Sequence, residues 1–429
     1  MQEYILKNGL KLVYKSTDSM LSSISIALDA GAIRDTEGKF GIAHVTEHMI
    51  YKGTSNRSEV EINKEFSEIF GFQNAMTNYP YVIYYGTLLS EDLAKGIELY
   101  ADLLINTTLG NDGFKEEMDV IKEELKEWDE EVEQFCEDKL FLNSYKDRRI
   151  KYPIIGMEKS LENISIEDVK EFYNKYYFPE NTTIVIISQK SFEEIIEIVN
   201  KYFISWDNSG FTTTLTESEK AKGGIYRDKR EGINTAKVLI TYDISVLNHE
   251  EIKVFKVLNQ YIGEGVNSLL FDSLRTKKGL VYDVLTKVSN ESGIGLYKIT
   301  FSTGEEKIQE AINSIEIIFE NLEETLENLS KKEIDGLVKS LKLKRLFNEE
   351  QSIRLSNAVA MYDIMFGNYE LYFDEIKGLK NINKEAIAIK IYILTKTGLF
   401  FDLNKLANKK YSKFCMSNSL VTYNNYMYN

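Results

Sequence analysis

One order of strands and helices occurs twice along this 429-residue chain, and this repeat constrains the fold more than any other feature. Alternating apolar residues predict strands at 24–28 and 236–243, and apolar residues at helical spacing predict helices at 91–105 and 305–328. The members of each pair lie roughly 210 residues apart. Apolar residues also predict a buried strand at 182–188 and helices at 114–138 and 266–278. The sequence therefore predicts an α+β protein with two domains of similar topology, each a largely antiparallel sheet covered by helices.

The boundary between the two predicted domains lies near the middle of the chain. Residues 207–224 are rich in Ser, Thr, Gly and Lys and show little periodicity, which is typical of a linker. We therefore expect an N-terminal domain at 1–206, a linker at 207–224 and a C-terminal domain at 225–429. Near the N-terminus, Asn8-Gly9 between two apolar runs predicts a β-hairpin with a two-residue type I′ turn.

The negative charge of the chain is concentrated in its first half. Residues 1–210 contain 38 acidic and 22 basic residues, whereas residues 211–429 contain 29 and 30. Within 111–140 the ratio is 13 to 4. Such a surface repels nucleic acid and favours basic ligands or cations. The alternative is a solvated acidic helix that serves only solubility.

Cysteine content and hydropathy indicate the cellular compartment of the protein. The two cysteines, Cys136 and Cys415, are too few for a disulfide scaffold or a cysteine-based zinc ribbon, and they suit a reducing environment. No apolar run approaches the length of a membrane span, and the first residues do not resemble a secretion signal. We expect a cytoplasmic protein without a membrane span.

Two of the three histidines, His44 and His48, lie four residues apart in a segment of helical periodicity. This spacing puts both imidazoles on one face of a helix, where they can share one ion. Glu47 precedes the second histidine, so the segment matches the inverted zinc motif His-x-x-Glu-His, which needs two imidazole ligands and a carboxylate base. The alternative is an ordinary helix whose histidines are surface or core residues.

A catalytic zinc site needs a third protein ligand, which the motif does not locate. The acidic segment 111–140 is the obvious source, and it contains five candidates: Glu116, Glu117, Glu123, Glu124 and Glu127. Glu117 and Glu124 are seven residues apart and share a helix face. Spacing alone does not choose among the five.

Several segments together resemble the pitrilysin-like (insulinase-type) zinc metallopeptidases, a family that includes mitochondrial processing peptidase. The segments are Asn8–Leu10, Gly41–Met49, Lys52–Thr54, Asn74–Thr77, Glu117–Glu124 and Asn267–Tyr282. The resemblance covers nearly the whole chain. It implies two homologous α+β domains that form half of a clamshell.

The resemblance also implies the ligands. In the family the third ligand is a glutamate 76 positions after the second histidine, which here is Glu124. One Zn²⁺ per chain would then be held by His44, His48 and Glu124, with Glu47 as the general base. Glu117 is implied as a second acidic residue of catalysis, which would orient His48 or its neighbours without binding the metal.

Four further residues are implied to contact the substrate. Arg275 and Tyr282 match a pair that holds the substrate backbone near the metal, where both side chains can donate hydrogen bonds. Without the resemblance, they would be interpreted as a surface ion-pair residue and an aromatic residue at the edge of the core. Asn74 and Ala75 would be interpreted as part of a loop, but the resemblance implies contact with a substrate that adds to the sheet as a strand.

The sequence therefore predicts a zinc-dependent endopeptidase that cleaves peptides or small unfolded proteins, with the acidic first half favouring basic ones. Long members of the family fuse two pairs of domains into a chamber, whereas this chain has one pair. The resemblance thus implies a second subunit. Because the metal motif and the Arg275/Tyr282 pair occur on one chain, we expect a homodimer, and a heterodimer with a related chain is the alternative.

Two other functions stay open. One is a dedicated maturation protease that removes the leader of a ribosomally made peptide, alone or with a partner subunit. The other is a non-catalytic peptide-binding or scaffold subunit that keeps the fold.

Overall fold

The computed structural model describes residues 1–207, 219, 221–228, 235–379 and 382. Packing divides these residues into two compact units. Unit 1 contains residues 1–127, 152–207 and 347–373, and unit 2 contains residues 128–151, the described residues from 219 to 346, and those from 374. Each unit is therefore built from segments that are distant in the chain.

The strands of the described residues form one sheet in each unit. Unit 1 contains six of them: β1 (Gln2–Ile5), β2 (Lys11–Ser16), β3 (Leu21–Leu28), β4 (Phe70–Thr77), β5 (Val82–Leu89) and β6 (Thr182–Ser188). Unit 2 contains three: β7 (Ala236–Asp243), β8 (Asp283–Glu291) and β9 (Ile294–Thr303).

The helices of the described residues are distributed along the whole chain. Those of the first half are α1 (Ile42–Ile50), α2 (Glu59–Ile69), α3 (Leu93–Ile105), α4 (Phe114–Glu130), α5 (Val132–Ser144), α6 (Glu158–Leu161), α7 (Ile166–Tyr176) and α8 (Phe192–Phe203). Those of the second half are α9 (His249–Ile262), α10 (Ile308–Glu320), α11 (Leu322–Glu327), α12 (Lys331–Glu349), α13 (Ser352–Phe366) and α14 (Glu370–Asp374). A π-helical segment, Phe271–Lys277, precedes β8. None of the described helices combines the length and apolarity that a bilayer crossing requires.

The sheet of unit 1 has the strand order β1-β2-β6-β3-β5-β4. All neighbouring strands are antiparallel except β2 and β6. Every residue of β6 is buried, as expected for an apolar central strand. Strand β4 lies at the edge of the described sheet, where its outer backbone groups have no neighbouring strand.

The N-terminal hairpin forms, but its predicted type I′ turn is wrong. The amide of Gly9 donates to the carbonyl of Leu6, and Gly9 has a positive φ of 90°, whereas Asn8 does not have a positive φ. A type I turn followed by a left-handed glycine explains these contacts. The side chain of Asn8 donates to the carbonyl of Phe203 at 2.8 Å, which fixes the turn against the end of α8.

The sheet of unit 2 reproduces part of the sheet of unit 1. Strands β7, β9 and β8 are adjacent in that order and all antiparallel, as are β3, β5 and β4. In both units the strand of this set that comes first in the chain pairs with the strand that comes third. The strand that comes second in the chain, β4 in unit 1 and β8 in unit 2, lies on the far side of the third. The predicted α+β class with largely antiparallel sheets is confirmed.

Each unit includes helical segments from the opposite half of the sequence. Helix α13 packs on β3, β5 and β6 of unit 1, where Leu355 and Val359 join the apolar core and Ser356 accepts a hydrogen bond from Ser25. Helix α5 belongs to unit 2, where Glu137 contacts Lys298 of β9 at 2.9 Å. The predicted domains 1–206 and 225–429 follow chain order. They therefore place α5 with the sheet of unit 1 and α13 with the sheet of unit 2, whereas each helix belongs to the opposite unit. Most of the predicted linker, residues 208–218 and 220, lies outside the described residues.

Three predicted helices differ from the structure in their bounds. The predicted helix at 114–138 is two helices, α4 and α5, because Glu131 takes an extended backbone conformation between them. The helix predicted at 305–328 is likewise divided at Asn321. Of the helix predicted at 266–278, the structure assigns Phe271–Lys277 to a π-helical segment.

We expect the ion pair between Glu137 and Lys298 to stabilise the packing of α5 in unit 2. Both side chains are almost fully buried. Lys298→Met should lower the free energy of unfolding by about 3 kcal/mol, because it leaves a buried carboxylate without its partner. The double variant Glu137→Leu/Lys298→Met should recover most of this loss in urea denaturation. Lys126→Met, which removes an exposed pair with Glu123, is the control. A double variant as unstable as the single one would contradict this prediction.

Candidate metal centre

Helix α1 is fixed at its first turn, and both of its histidines lie on one side of it. Asp35 accepts hydrogen bonds from the backbone amides of Gly41 and Ala43, which would otherwise lack partners at the helix start. Gly41 has a φ of 100°, and an added Cβ would lie 2.5 Å from a backbone oxygen. Val45 and Met49 are fully buried. The helix face with the two histidines is less buried than this one.

Three side chains of unit 1 point their donor atoms at one position. The Nε2 atoms of His44 and His48 are 3.3 Å apart. Oε2 of Glu124 lies 3.8 Å from Nε2 of His44 and 3.6 Å from Nε2 of His48. A tetrahedral zinc ion with bonds of 2.0–2.1 Å separates its ligand atoms by about 3.3 Å. Two imidazole nitrogens and one carboxylate oxygen also match the donors that zinc prefers. Within the described residues, these three form the group that could hold a metal.

The imidazole of His48 is oriented by Glu117. Its Nδ1 atom lies 2.8 Å from Oε1 of Glu117, a buried side chain. A carboxylate cannot donate, so Nδ1 carries the proton and Nε2 keeps its lone pair towards the candidate site. The other oxygen of Glu117 contacts Nζ of Lys52. This is the arrangement by which proteins fix a metal-binding histidine from outside the ligand set.

The protonation of the two histidines is set by different surroundings. Burial, together with the adjacent His48, holds the pKa of His44 well below its ordinary value, so that its ring is neutral. Burial alone would lower the pKa of His48, but the hydrogen bond with Glu117 and the charges of Glu47 and Glu124 raise it. Zinc binds the neutral form of histidine, so the ion and a proton compete for His48.

Glu47 is buried beside the two histidines but is not one of the three converging donors. Its Oε2 atom accepts a hydrogen bond from Oγ1 of Thr77 at 2.7 Å, which fixes the carboxylate between α1 and the end of β4. Burial raises the pKa of Glu47, against the opposing effects of His48 and Thr77. A raised pKa moves a carboxylate towards the range in which it can both take and return a proton near neutral pH.

The sequence left five glutamates as candidates for the third ligand, and their positions on α4 distinguish them. Glu124 faces the histidines, and burial raises the pKa of its carboxyl. Glu117 contacts His48 through Nδ1. Glu123 lies on the exposed side and pairs with Lys126. Glu116 and Glu127 are also exposed.

Asn74 and Ala75 lie in strand β4, not in the loop expected from the sequence without the resemblance. Their register partners on β5 are Tyr85 and Tyr84. Asn74 is exposed, and its Oδ1 atom accepts a hydrogen bond from the backbone amide of Ala75 at 2.9 Å. Both residues therefore lie on the edge strand that ends at Thr77, the partner of Glu47. Their contact with a substrate stays a prediction.

Arg275 and Tyr282 belong to unit 2 and are exposed there. The guanidinium of Arg275 lies over the ring of Phe271 at 5.0 Å. Tyr282 is 61% exposed, and its backbone amide donates to the carbonyl of Ser302. Both side chains can therefore meet a ligand, and their role towards a substrate stays a prediction.

Two residues of the site, Thr77 and Lys52, have no role in the sequence-based prediction. Both lie in segments that carry the resemblance. Lys52 is four residues after His48, so helical spacing alone could have indicated a side chain on the same face. Thr77 has no comparable signal, because its partner Glu47 is thirty residues away.

Two family models match successive parts of the chain. The model described as insulinase (peptidase family M16) matches residues 11–158, and the model described as peptidase M16 inactive domain matches residues 163–341. The chain belongs to the M16 family. The first match contains the three converging donors and Glu47, and the second contains Arg275 and Tyr282.

Individual M16 relatives agree with this membership. An uncharacterized zinc protease of Bacillus subtilis is 26% identical over 388 residues, which cover 90% of this chain and 94% of the relative. The β subunit of the mitochondrial processing peptidase of Saccharomyces cerevisiae is 30% identical over 199 residues, which cover 46% of this chain and 43% of that subunit. The crystal structure of a protease from Helicobacter pylori superposes with a TM-score of 0.81 at 21% identity, covering 91% of this chain and 96% of that one. The last likeness shows that the two proteins share a fold.

We expect Glu124, among the acidic residues of α4, to be needed for zinc binding. Glu124→Gln removes the charged donor of the three converging side chains and should weaken zinc binding at least tenfold. Glu123→Gln changes a neighbouring glutamate on the exposed side of the same helix and should bind zinc as the parent does. Competition with a colorimetric chelator measures both affinities. Equal zinc affinity in the two variants would show that the site is elsewhere.

Proposed function

We propose that this M16 protein is a zinc-dependent endopeptidase that cleaves peptides or small unfolded proteins. The observation that carries the proposal is the convergence of two imidazole nitrogens and one carboxylate oxygen beside a separate buried carboxylate. Metal binding alone requires only the three donors. Hydrolysis also requires a base close to the metal but not bound to it, and Glu47 has that position.

The roles of the side chains follow from their contacts. His44, His48 and Glu124 would hold a zinc ion, which when bound supplies a Lewis acid that activates water and polarises the scissile carbonyl. Glu47 takes a proton from the attacking water and returns it to the leaving amine. Thr77 keeps the Glu47 carboxylate in place through its hydrogen bond. Glu117 keeps His48 in the tautomer that can bind a metal.

The edge strand β4 supports a peptide as the substrate. Its outer backbone groups lack a neighbouring strand within the described sheet, and it ends beside Glu47. An extended peptide can pair with such an edge through main-chain hydrogen bonds, which gives affinity with little sequence preference. Asn74 and Ala75 would then contact the substrate backbone. The acidic residues of α4 favour basic peptides.

The assembly that we propose is a dimer of this chain. The metal residues and the Arg275/Tyr282 pair occur on one polypeptide, so two identical chains can form two complete sites. In each site the metal centre of one subunit would face Arg275 and Tyr282 of the other. A heterodimer with a related subunit is the alternative.

Two other functions are separated from this one by experiment. Similarity to the β subunit of a processing peptidase favours a role in peptide maturation, for which a mixed peptide library analysed by mass spectrometry should show cleavage at one type of site. The description of the second family model as an inactive domain favours a non-catalytic subunit. Such a subunit would cleave no member of the library, with or without a chelator.

We expect Glu47→Gln to bind one zinc ion per chain and to lose turnover by at least a thousandfold, because the amide cannot accept the proton. Zinc content by elemental analysis and the rate of cleavage of a basic peptide measure the two effects. Glu68→Gln, at an exposed position on α2, is the control and should keep both. Loss of zinc from Glu47→Gln, or an unchanged rate, would contradict the assigned role.

Mixed dimers test the shared site. Glu47→Gln and Arg275→Ala should each be weakly active alone. If the sites are shared between subunits, mixing the two variants restores up to one site per mixed dimer, which combines an intact Glu47 with an intact Arg275 from the other chain. If each chain forms its own site, mixing restores nothing. Light scattering must show a dimer in both preparations, and a fully active monomer would exclude the proposal.

A further inference from the structure

Lys52 lies between the metal centre and the surface of unit 1. It follows the end of α1, four residues after His48, and its Nζ atom contacts Oε2 of Glu117. The same Nζ atom lies 2.9 Å from Oε1 of Glu59, in the first turn of α2. The contacts form one continuous chain from the half-exposed Glu59 through Lys52 and Glu117 to His48.

The Glu117 carboxylate is held at both of its oxygens. Oε1 accepts from Nδ1 of His48, and Oε2 accepts from Lys52. A carboxylate bonded through a single oxygen can rotate about its Cγ–Cδ bond, whereas one bonded through both oxygens cannot do so without losing a contact. The orientation of the His48 ring therefore depends on Lys52 as well as on Glu117.

The charges around the site also favour a cation at this position. Glu47, Glu117 and Glu124 bring three carboxylates to the two imidazoles, and two of them are buried. Lys52 is the cation in direct contact with the buried Glu117, and it also faces the half-exposed Glu59. Without Lys52, the buried Glu117 would lack the charge that stabilises its ionised form.

We propose that Lys52 is a positioning residue of the metal centre, which fixes Glu117 so that His48 presents Nε2 to the ion. The inference rests on the proposed zinc site and adds a residue that does not touch the metal. A purely structural salt bridge between α1 and α4 is the competing explanation. That explanation predicts a loss of stability but no change in the zinc affinity of the folded protein.

Zinc affinity of the purified full-length chain distinguishes the two explanations. Lys52→Met, which keeps most of the side-chain length but removes the charge, should bind Zn²⁺ about 10- to 100-fold more weakly than the parent in competition with a colorimetric chelator. Lys52→Arg restores a cation and should recover most of the affinity. Lys126→Met, which removes the cation of an exposed pair on α4, should leave the affinity unchanged.

The visible absorption of bound Co²⁺ gives a second measurement that does not depend on activity. Lys52→Met should change the energy and intensity of the cobalt bands, because the His48 ligand is no longer fixed, whereas Lys126→Met should not. Glu59→Gln alters the far end of the contact chain at a half-exposed position, where folding is not at risk. It should weaken zinc binding a few-fold.

Three outcomes would contradict this inference, and they differ in what they say about the proposed zinc site. A parent protein that binds no zinc would overturn the proposed function together with this inference. A parent that binds one zinc, with Lys52→Met and Glu59→Gln equally tight and with unchanged cobalt spectra, would overturn this inference alone. A fall in thermal stability of Lys52→Met without a fall in the affinity of its folded fraction would likewise assign Lys52 a structural role only.

Discussion

The contact between α1 and α4 is the interaction on which the candidate site depends. Helix α1 supplies two histidines and a buried glutamate, but it cannot supply a third donor to the same point. Helix α4, about seventy residues later in the chain, supplies Glu124 to that point and Glu117 to the back of His48. The contacts between the two helices are made by the polar side chains themselves, His44 and His48 on α1 and Glu117 and Glu124 on α4. Neither helix alone has the chemistry of a metal centre.

The acidic segment 111–140 is more than a solvated surface. Part of it faces the histidines and forms the candidate metal site, and another part, on α5, pairs with lysines of unit 2. Glu133 and Glu137 pair there with Lys237 and Lys298. Only residues such as Glu123 behave as the simple solubility interpretation expects. A surplus of charge in a sequence can thus contain several separate structural roles.

Periodicity among neighbouring residues predicts much of this fold. Contacts between residues that are distant in the chain account for the differences between the prediction and the structure. Strands 182–188 and 236–243 agree with β6 and β7 to the residue, because alternation and burial are properties of neighbouring residues. The shared face of His44 and His48 follows from helical spacing in the same way. The choice of Glu124 came from family resemblance, since several glutamates satisfied the spacing. The edge strand β4, the link between Thr77 and Glu47, and the exchange of helices between halves depend on contacts between distant residues, which periodicity does not encode.

The exchange of helices limits how this polypeptide can be divided. A protease cut within residues 207–224 would leave two fragments that each carry the helix needed by the sheet of the other. The first fragment would expose the sheet face that α13 covers with Leu355 and Val359, and the second would leave Lys298 buried without Glu137. The two fragments would have to remain associated to keep either core intact. The two halves of the sequence therefore have to be inherited together. Recombination that exchanged one half between genes would separate the sheet of unit 1 from α13 and the sheet of unit 2 from α5.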